Sequence, residues 1–333
     1  MAQKKKVRLA DIAAKLKIST VTVSKALSNK EGVGDELREE ILKIASEMGY
    51  KTKKEPSSTT GNIGILIPAR FYSPDSSFYW HLFTYLSKAL LNHNYYSIME
   101  LLSKEDEKNL KLPRMLTDEK IDGLIILGQT DEKYLQTVEK ATENFILLDF
   151  YTTARDYDSV SNDNYYCSYK LTNYIISQGH KKLQFVGTFG ATSSITDRYM
   201  GFQRALLENN IKSNFEEIIP DRDKNGQKIP LELPKKNMPS VFVCNCDETA
   251  VTLIETLAEN GYRVPEDISV TGFDNYIPQG KSSVELTTVY INPDDTAEVA
   301  ANLILSKINN QPYIKGRHLV SGEIILRDSV RKL

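Results

Sequence analysis

Cysteine, histidine and tryptophan are scarce in this chain of 333 residues, which contains three Cys, four His and one Trp. The cysteines Cys167, Cys244 and Cys246 are too few for a disulfide framework and fit a reducing compartment. No apolar run approaches the roughly 20 residues that cross a bilayer. Charged residues rather than an apolar segment follow the basic start, so we expect a cytoplasmic protein with no membrane association.

Signatures of common catalytic and metal sites are also absent. The sequence has no GxGxxG after a predicted strand, no GxxxxGK[ST] and no HExxH. Its histidines are scattered, and no histidine lies near Cys244 or Cys246 in the sequence, so these cysteines are more typical of a buried strand end than of a metal site. We therefore expect no enzyme, no catalytic residue, no cofactor and no metal, although α/β sheets host many chemistries.

Charge divides the chain into a basic head and an acidic body. Residues 1–60 carry 13 Lys and Arg against 8 Asp and Glu, whereas the remainder carries 29 against 36. This asymmetry indicates that the head meets a polyanion. Residues 51–61, KTKKEPSSTTG, have the composition of a linker. The expected domains are therefore 1–50, a linker over 51–61, and 62–333.

The head is predicted to contain three short helices. Leu9, Ile12, Ala13 and Leu16 have helical spacing, and Ser19 is a good N-cap for a second helix through Leu27. A third helix is expected over 35–48, ended by Gly49. Its inner side is predicted to consist of Leu37, Ile41, Leu42, Ile44, Ala45 and Met48. The pattern fits a helix-turn-helix, but also a three-helix bundle with no role on DNA.

Short β-branched runs alternate with amphipathic stretches over the rest of the chain. The expected strands are 63–67, 96–101, 123–127, 145–148, 183–186, 241–244, 268–271 and 288–291. The expected helices include 78–91, 164–178, 199–209, 248–260 and 295–308. This order is typical of doubly wound parallel sheets, and eight strands fit two adjacent sheets better than one.

Specific motifs resemble those of the lactose-repressor (LacI/GalR) family of bacterial transcriptional regulators. In the head these are DIA, the core ISTVTVSKAL, the stretch REEI and the closing GY; later blocks are QGHKKLQFVG, DRYMGF, NCDETA, GYRVPEDISVTGFDN, LTTVYINP and EIILRDSV. The resemblance covers nearly the whole chain. It implies a helix-turn-helix headpiece and a two-lobed sensor like periplasmic binding proteins, with lobe one over about 62–160 and 291–320 and lobe two over about 163–288.

The resemblance also assigns the DNA-reading residues. It implies that Thr20 and Val21 read base edges with help from Lys25. The positions that contact phosphates would be Ser19, Thr22, Ser24 and Ser28. Arg8 replaces a capping Thr and is expected to contact a phosphate. The segment KTKKEPSSTTG lacks the family's hinge-helix pattern, so the chain resembles a subgroup without it, and Lys53 would supply non-specific phosphate attraction.

Ligand positions of the family correspond to Phe78, Tyr79, Asp149, Ser194, Arg198, Asn245, Asp247 and Asp274. Cys246 stands where the family commonly has Asn, and Asn245 or Asp247 is expected to compensate. Aromatic faces, an arginine and carboxylates suit a sugar. A purine, an amino-acid-like metabolite or an activator role stays open. The expected protein is a homodimeric repressor on a pseudo-palindromic DNA operator. An exported binding protein is a rival that DNA retardation would exclude.

Overall fold

A computed structural model describes residues 9–27, 32–48, 59–72, 78–212, 218–223, 226–276 and 284–333. The chain divides into two compact units, 1–60 and 61–333. Within the described ranges, no helix is both long enough and apolar enough to span a bilayer. Each unit has its own buried core, which is described separately below.

The first unit contains three helices: α1 (Leu9–Leu16), α2 (Thr20–Leu27) and α3 (Asp35–Glu47). Ile12, Val23 and Ile41 are fully buried and hold the three helices together. The Ser19 hydroxyl accepts a hydrogen bond from the backbone N–H of Thr22 at 3.0 Å, which is the N-cap that the sequence predicts. The three predicted helices are therefore confirmed.

One detail of the predicted headpiece core is wrong. Leu42 was expected on the inner side of α3, but its side chain is 46% exposed. Ile41 and Ala45, which are four residues apart, occupy the buried stripe, and Leu42 lies one position round the helix from Ile41. The predicted helix end at Gly49 and the linker at 51–58 lie outside the described residues.

Lobe one of the second unit is built on a six-stranded parallel sheet. Its strands, in spatial order, are β10 (Arg317–Val320), β5 (Ser159–Asn162), β4 (Phe145–Leu148), β3 (Gly123–Leu127), β1 (Asn62–Pro68) and β2 (Tyr96–Leu102). The chain thus leaves this sheet after β5 and returns to it with β10. Such a crossing produces a two-lobed unit.

Lobe two has a smaller parallel sheet of β6 (Leu183–Val186), β7 (Val241–Cys244) and β8 (Ser269–Thr271). Single parallel bridges from Val186 to Ile219 and from Thr271 to Thr287 extend it on both sides. An antiparallel pair of β9 (Thr288–Tyr290) and β11 (Glu323–Ile325) accompanies the return to lobe one. The predicted class, a helical headpiece plus two doubly wound sheets, is confirmed.

Helices cover the sheets of both lobes. They are α4 (Phe78–Asn92), α5 (Lys104–Lys108), α6 (Arg114–Thr117), α7 (Glu132–Ala141), α8 (Asn164–Ser177), α9 (Ser193–Glu208), α10 (Asp247–Glu259) and α11 (Pro293–Ile308). Helices α8 and α9 approach closely at Gly201, where an added Cβ would lie 2.1 Å from the backbone oxygen of Tyr165. This glycine is required by close approach.

All eight predicted strands exist, with ends shifted by at most a residue, but the described residues contain three further strands and three further helices that were not named in advance. Strands β5, β10 and β11 lack an apolar run, and helices α5, α6 and α7 are short. Helix α9 begins at Ser193 rather than at the predicted 199, because the Thr192 hydroxyl caps it by accepting from the N–H of Ile195 at 3.1 Å.

Candidate functional site

A cavity of about 380 Å³ lies between the two lobes, at the carboxyl ends of their parallel strands. Asp149 follows β4 directly, Asn245 follows β7, and Asp274 comes three residues after β8. The residues that line the cavity are Arg70, Phe71, Tyr72, Phe78, Tyr79, Asp149, Thr192, Ser194, Ile195, Arg198, Arg222, Gly226, Lys228, Asn245, Cys246, Glu248 and Asp274.

Arg198, on α9, is the most connected side chain in the cavity wall. Its Nη2 atom donates to Asp274 Oδ1 at 2.8 Å and its Nε atom to Asn164 Oδ1 at 2.7 Å, while Nη1 donates to the backbone oxygen of Asn245. The guanidinium also stacks 3.8 Å from the centre of the Phe273 ring. Burial opposes its charge, but Asp274 and Asp149 outweigh burial and raise the pKa of Arg198. The arginine is therefore a fixed positive centre.

Asp149 forms a second polar group in the cavity. Its Oδ2 atom accepts a hydrogen bond from the Tyr79 hydroxyl at 2.8 Å, and its backbone oxygen accepts from the Ser194 hydroxyl at 2.8 Å. Burial raises the pKa of Asp149 to about 6, although Arg198 opposes the rise. The Ser194 contact joins lobe two to lobe one, so this carboxylate lies at the junction that a ligand would bridge.

Two of the carboxylates in the cavity wall, Asp149 and Asp274, lie on strained backbone. Asp149 has a φ of +65° and Asp274 a φ of +94°, in the left-handed region that residues with a Cβ rarely occupy. Burial also raises the pKa of Asp274 despite its pairing with Arg198. Strain of this kind persists where the surrounding structure holds it, commonly at ligand sites. With this backbone conformation, the carboxylates of Asp149 and Asp274 both line the cavity as hydrogen-bond acceptors.

An acid–base pair that the sequence did not reveal lies beside the cavity. The side chain of Asp221 is 3% exposed and accepts from Arg222 Nη2 at 2.7 Å and from Asn245 Nδ2 at 2.7 Å. It also accepts from Thr249 Oγ1 at 3.0 Å and from the backbone N–H of Thr188 at 2.9 Å. Burial works against its charge, but Arg222 outweighs it and lowers the pKa of Asp221 to about 2. Asp221 therefore fixes Asn245 and Arg222 at the cavity wall.

Aromatic rings cover one side of the cavity. The Phe78 and Tyr79 rings meet edge-on with centroids 5.5 Å apart, and Phe71 lies 5.3 Å from Tyr79. Phe78 also contacts Tyr276 of lobe two, at 6.1 Å between ring centres. These rings provide apolar faces beside charged groups, since Tyr79 bonds to Asp149 and the Arg70 guanidinium lies 4.9 Å from the centre of the Phe71 ring.

Seven of the eight predicted ligand residues line this cavity, and one does not. Asp247 is 1% exposed and points away into the protein, where it accepts from Thr288 Oγ1 at 2.6 Å and from the N–H of Tyr276 at 2.7 Å. The expectation that it compensates for Cys246 is wrong, because its oxygens are used by the fold. Asn245 and Cys246 both reach the cavity. That the seven bind a ligand stays a prediction.

Most of the residues predicted to contact DNA can be located in the first unit. Thr20, Val21, Ser24 and Lys25 are exposed on α2, and Val21 is 62% exposed although it is a large apolar residue. Thr22 is half-buried and its N–H binds the exposed Ser19 cap. The expected contacts from Arg8, Ser28 and Lys53 lie outside the described residues. An exposed valine beside hydroxyls could contact base edges, and that these residues read DNA stays a prediction.

A helix-turn-helix unit joined to a two-lobed unit with a polar interlobe cavity defines the class of ligand-responsive DNA-binding regulators. Comparison with known proteins agrees. The family described as bacterial regulatory proteins, lacI family, matches residues 8–53, and a periplasmic binding protein-like domain matches residues 172–330. The chain therefore combines a lacI-type DNA-binding domain with a periplasmic binding protein-like domain, the two parts of LacI-type transcriptional regulators.

Relatives match over the whole length. The HTH-type transcriptional repressor PurR of Aliivibrio salmonicida is 25% identical over 97% of this chain and 98% of its own length. The HTH-type transcriptional regulator RegA of Clostridium saccharobutylicum is 27% identical over 96% and 98%. The solved transcriptional regulator CelR–cellobiose complex superposes with a TM-score of 0.69 over 97% of this chain and all of that chain, at 17% identity. It supports the fold.

Proposed function

We propose that this repressor is controlled by a sugar that binds in the interlobe cavity, and that it acts as a homodimer on a pseudo-palindromic operator. The observation that carries the proposal is that two buried carboxylates, Asp149 and Asp274, line one cavity together with the Arg198 guanidinium and the Phe78 and Tyr79 rings. Ionised carboxylates accept hydrogen bonds from hydroxyls, and a guanidinium donates to hydroxyl oxygens. A sugar ring offers both groups around an apolar face.

The volume and the lining residues of the cavity fit a small ligand. A cavity of about 380 Å³ falls in the range of small-molecule sites, and aromatic and polar groups share its wall. The CelR structure with cellobiose shows this fold holding a sugar in another protein. A purine is the alternative, because PurR is among the relatives and the Phe78 and Tyr79 rings would also stack a base.

Control of DNA binding follows from the interlobe contacts. The N-terminus of α9 in lobe two contacts lobe one through Ser194, and through Ser193, whose N–H donates to Gln129 Oε1 at 3.1 Å. A ligand that binds one lobe arrangement better than another shifts the population of the two. In a dimer this shift would change the spacing of the two headpieces on the operator.

Direct binding measurements test the proposal. We expect at least one mono- or disaccharide in a panel to raise the melting temperature of the full chain, since a ligand of the folded state stabilises it by RT ln(1 + [L]/Kd). Asp274→Asn should abolish that shift. Arg204→Gln is the matched control, because Arg204 lies on α9 with Arg198 but is exposed and pairs with Glu208.

The same sugar must alter DNA binding. An operator is first selected from a pool of random duplexes, and its retention by the protein is then measured with and without the sugar. A sugar that binds and changes operator affinity at least tenfold supports the proposal. If nucleobases stabilise the protein and no sugar does, the sugar is the wrong effector. If no duplex is selected, DNA recognition itself fails.

A further inference from the structure

Four cationic side chains line the ligand cavity, and each pairs with an acid. Arg198 pairs with Asp274 through two contacts, at 2.8 and 3.4 Å. Arg70 Nη1 pairs with Glu107 at 2.5 Å and Nη2 donates to the backbone oxygen of Gln129. Arg222 pairs with Asp221 through one edge of its guanidinium. Lys228 pairs with Glu248.

Arg222 uses only one edge of its guanidinium in the fold. Nε lies 3.1 Å from both carboxylate oxygens of Asp221, and Nη2 lies 2.7 Å from Oδ2. The Nη1 atom has no hydrogen-bond partner among the described residues. The side chain is nevertheless 13% exposed and lines the cavity. The two N–H groups of Nη1 are accessible from the cavity, where a ligand or water can accept hydrogen bonds from them.

The acid that fixes Arg222 does not itself line the cavity. Asp221 is absent from the cavity wall, and its oxygens are shared with Asn245, Thr249 and the N–H of Thr188. Arg222 therefore presents positive charge towards the cavity while its counter-ion lies behind it. Such an arrangement holds an arginine in one position and leaves its outer edge for an anion.

The position of Arg222 along the cavity is also defined. Arg222 lines the inner cavity and a wider groove that opens from it, as do Arg70, Phe71, Thr192 and Gly226. By contrast, Asp149, Arg198 and Asp274 line the inner cavity alone. The site therefore has an inner end rich in hydrogen-bond acceptors and a cationic mouth.

We propose that the effector is an acidic sugar, in which a carboxylate or phosphate attached to the ring binds Arg222 Nη1 at the cavity mouth. The ring hydroxyls bind Asp149, Asp274 and Arg198 at the inner end. This inference rests on the proposed sugar effector and narrows it to an anionic class. A neutral sugar would leave the free edge of Arg222 facing the ring without an acceptor of matching charge.

Calorimetric titration of the full chain with matched sugars tests the inference. The probes are glucose and galactose, their C6 carboxylates glucuronate and galacturonate, their 6-phosphates, and inorganic phosphate alone. We expect at least one acidic sugar to bind about 10- to 100-fold more tightly than its neutral parent, the range for hydrogen bonds to charged groups. The carboxylate and phosphate arms identify which oxyanion is preferred.

Two variants assign the preference to Arg222. Arg222→Gln should reduce the ratio of acidic to neutral affinity to near one, while the exposed Arg204→Gln keeps it. Because Arg222→Gln leaves Asp221 without its counter-ion, the double variant Asp221→Asn with Arg222→Gln provides a neutral pair and should lose the same preference. The melting transition of each variant shows that the sensor is folded.

The outcomes separate this inference from the proposed function. Neutral sugars that bind as tightly as their acids overturn the acidic class and leave the sugar effector standing. A preference that survives in both Arg222 variants overturns the assignment to Arg222. Inorganic phosphate that binds as tightly as a sugar phosphate shows an anion site rather than a sugar-acid site. If no sugar binds, both proposals fail together.

Discussion

Asp149 is a buried acid whose pKa differs between the folded and the unfolded protein, so its ionisation affects stability. Burial raises its pKa from 3.8 to about 6. Because the pKa of Asp149 is higher in the folded state than in the unfolded chain, Asp149 does not lower the free energy of unfolding below pH about 3.8. Stability is then lost progressively as pH rises through about 6, where the carboxyl must ionise inside the protein. Asp149→Asn removes that ionisation while keeping the shape of the side chain.

The magnitude follows from the two pKa values. One pKa unit corresponds to about 1.4 kcal/mol, so ionising Asp149 in the folded sensor costs up to about 3 kcal/mol at neutral pH. Roughly 1 kcal/mol of that cost is already present at pH 4.5, since the unfolded chain has begun to ionise there. Between pH 4.5 and 7.5, the free energy of unfolding of the variant should therefore rise relative to the parent by about 2 kcal/mol.

Urea denaturation measures this difference. Trp80 is the single tryptophan of the chain and lies on α4 in the sensor, so its fluorescence follows that unit. Asp295→Asn, which makes the same exchange at an exposed carboxylate on α11, is the matched control. If the parent and Asp149→Asn differ by the same amount at both pH values, within about 0.5 kcal/mol, burial does not perturb Asp149 and the argument is refuted.

Three further predictions concern other parts of the molecule. Thr20→Ala should change which duplexes are selected from a random pool, and an unchanged preference would remove Thr20 from base reading. Gly201→Ala should destabilise the sensor by about 1–3 kcal/mol in urea denaturation, because its Cβ would overlap the backbone of Tyr165; no loss would mean that α8 and α9 separate freely. Arg198→Met should lower the free energy of unfolding by about 3–5 kcal/mol, because it leaves the buried Asp274 without its counter-ion. Adding Asp274→Asn should recover part of this loss, and equal losses in the single and double variants would contradict a coupled pair.

The sequence predicted the elements whose own residues carry the signal. Strands such as β1 and β3 are buried on both faces and read as continuous apolar runs. Strand β5 has the sequence SVSN, yet all four of its residues are buried, because β4 and β10 pair with it from either side. Pairing with other strands determines that this segment is a buried strand, and its own composition does not indicate one.

The sequence of α7 contains an N-cap and apolar residues at helical spacing, but the segment is too short for this pattern to identify a helix. Asp131 caps it by accepting from the N–H of Lys133 at 2.8 Å, and Tyr134, Leu135 and Val138 form its buried face. Ten residues with three apolar contacts also fit a loop, so periodicity alone does not identify it. At α9 the chain Thr192-Ser193-Ser194 reads as a polar loop, whereas in the structure it is the cap and first turn of the helix.

The residues in and around the cavity are of two kinds. Sequence motifs identify some of them, and only the tertiary structure identifies the others. Arg198 and Asp274 stand in recognisable blocks, DRYMGF and GFDN, and the structure joins them at 2.8 Å. Asp221 and Arg222 are adjacent in a segment without a motif, and an Asp-Arg pair in a loop is ordinarily a solvated surface feature. Here the loop turns inward, so that Asp221 is sequestered by Asn245 and Thr249 while Arg222 faces the cavity. The residue proposed to select the effector's charge is therefore one that tertiary structure alone identifies.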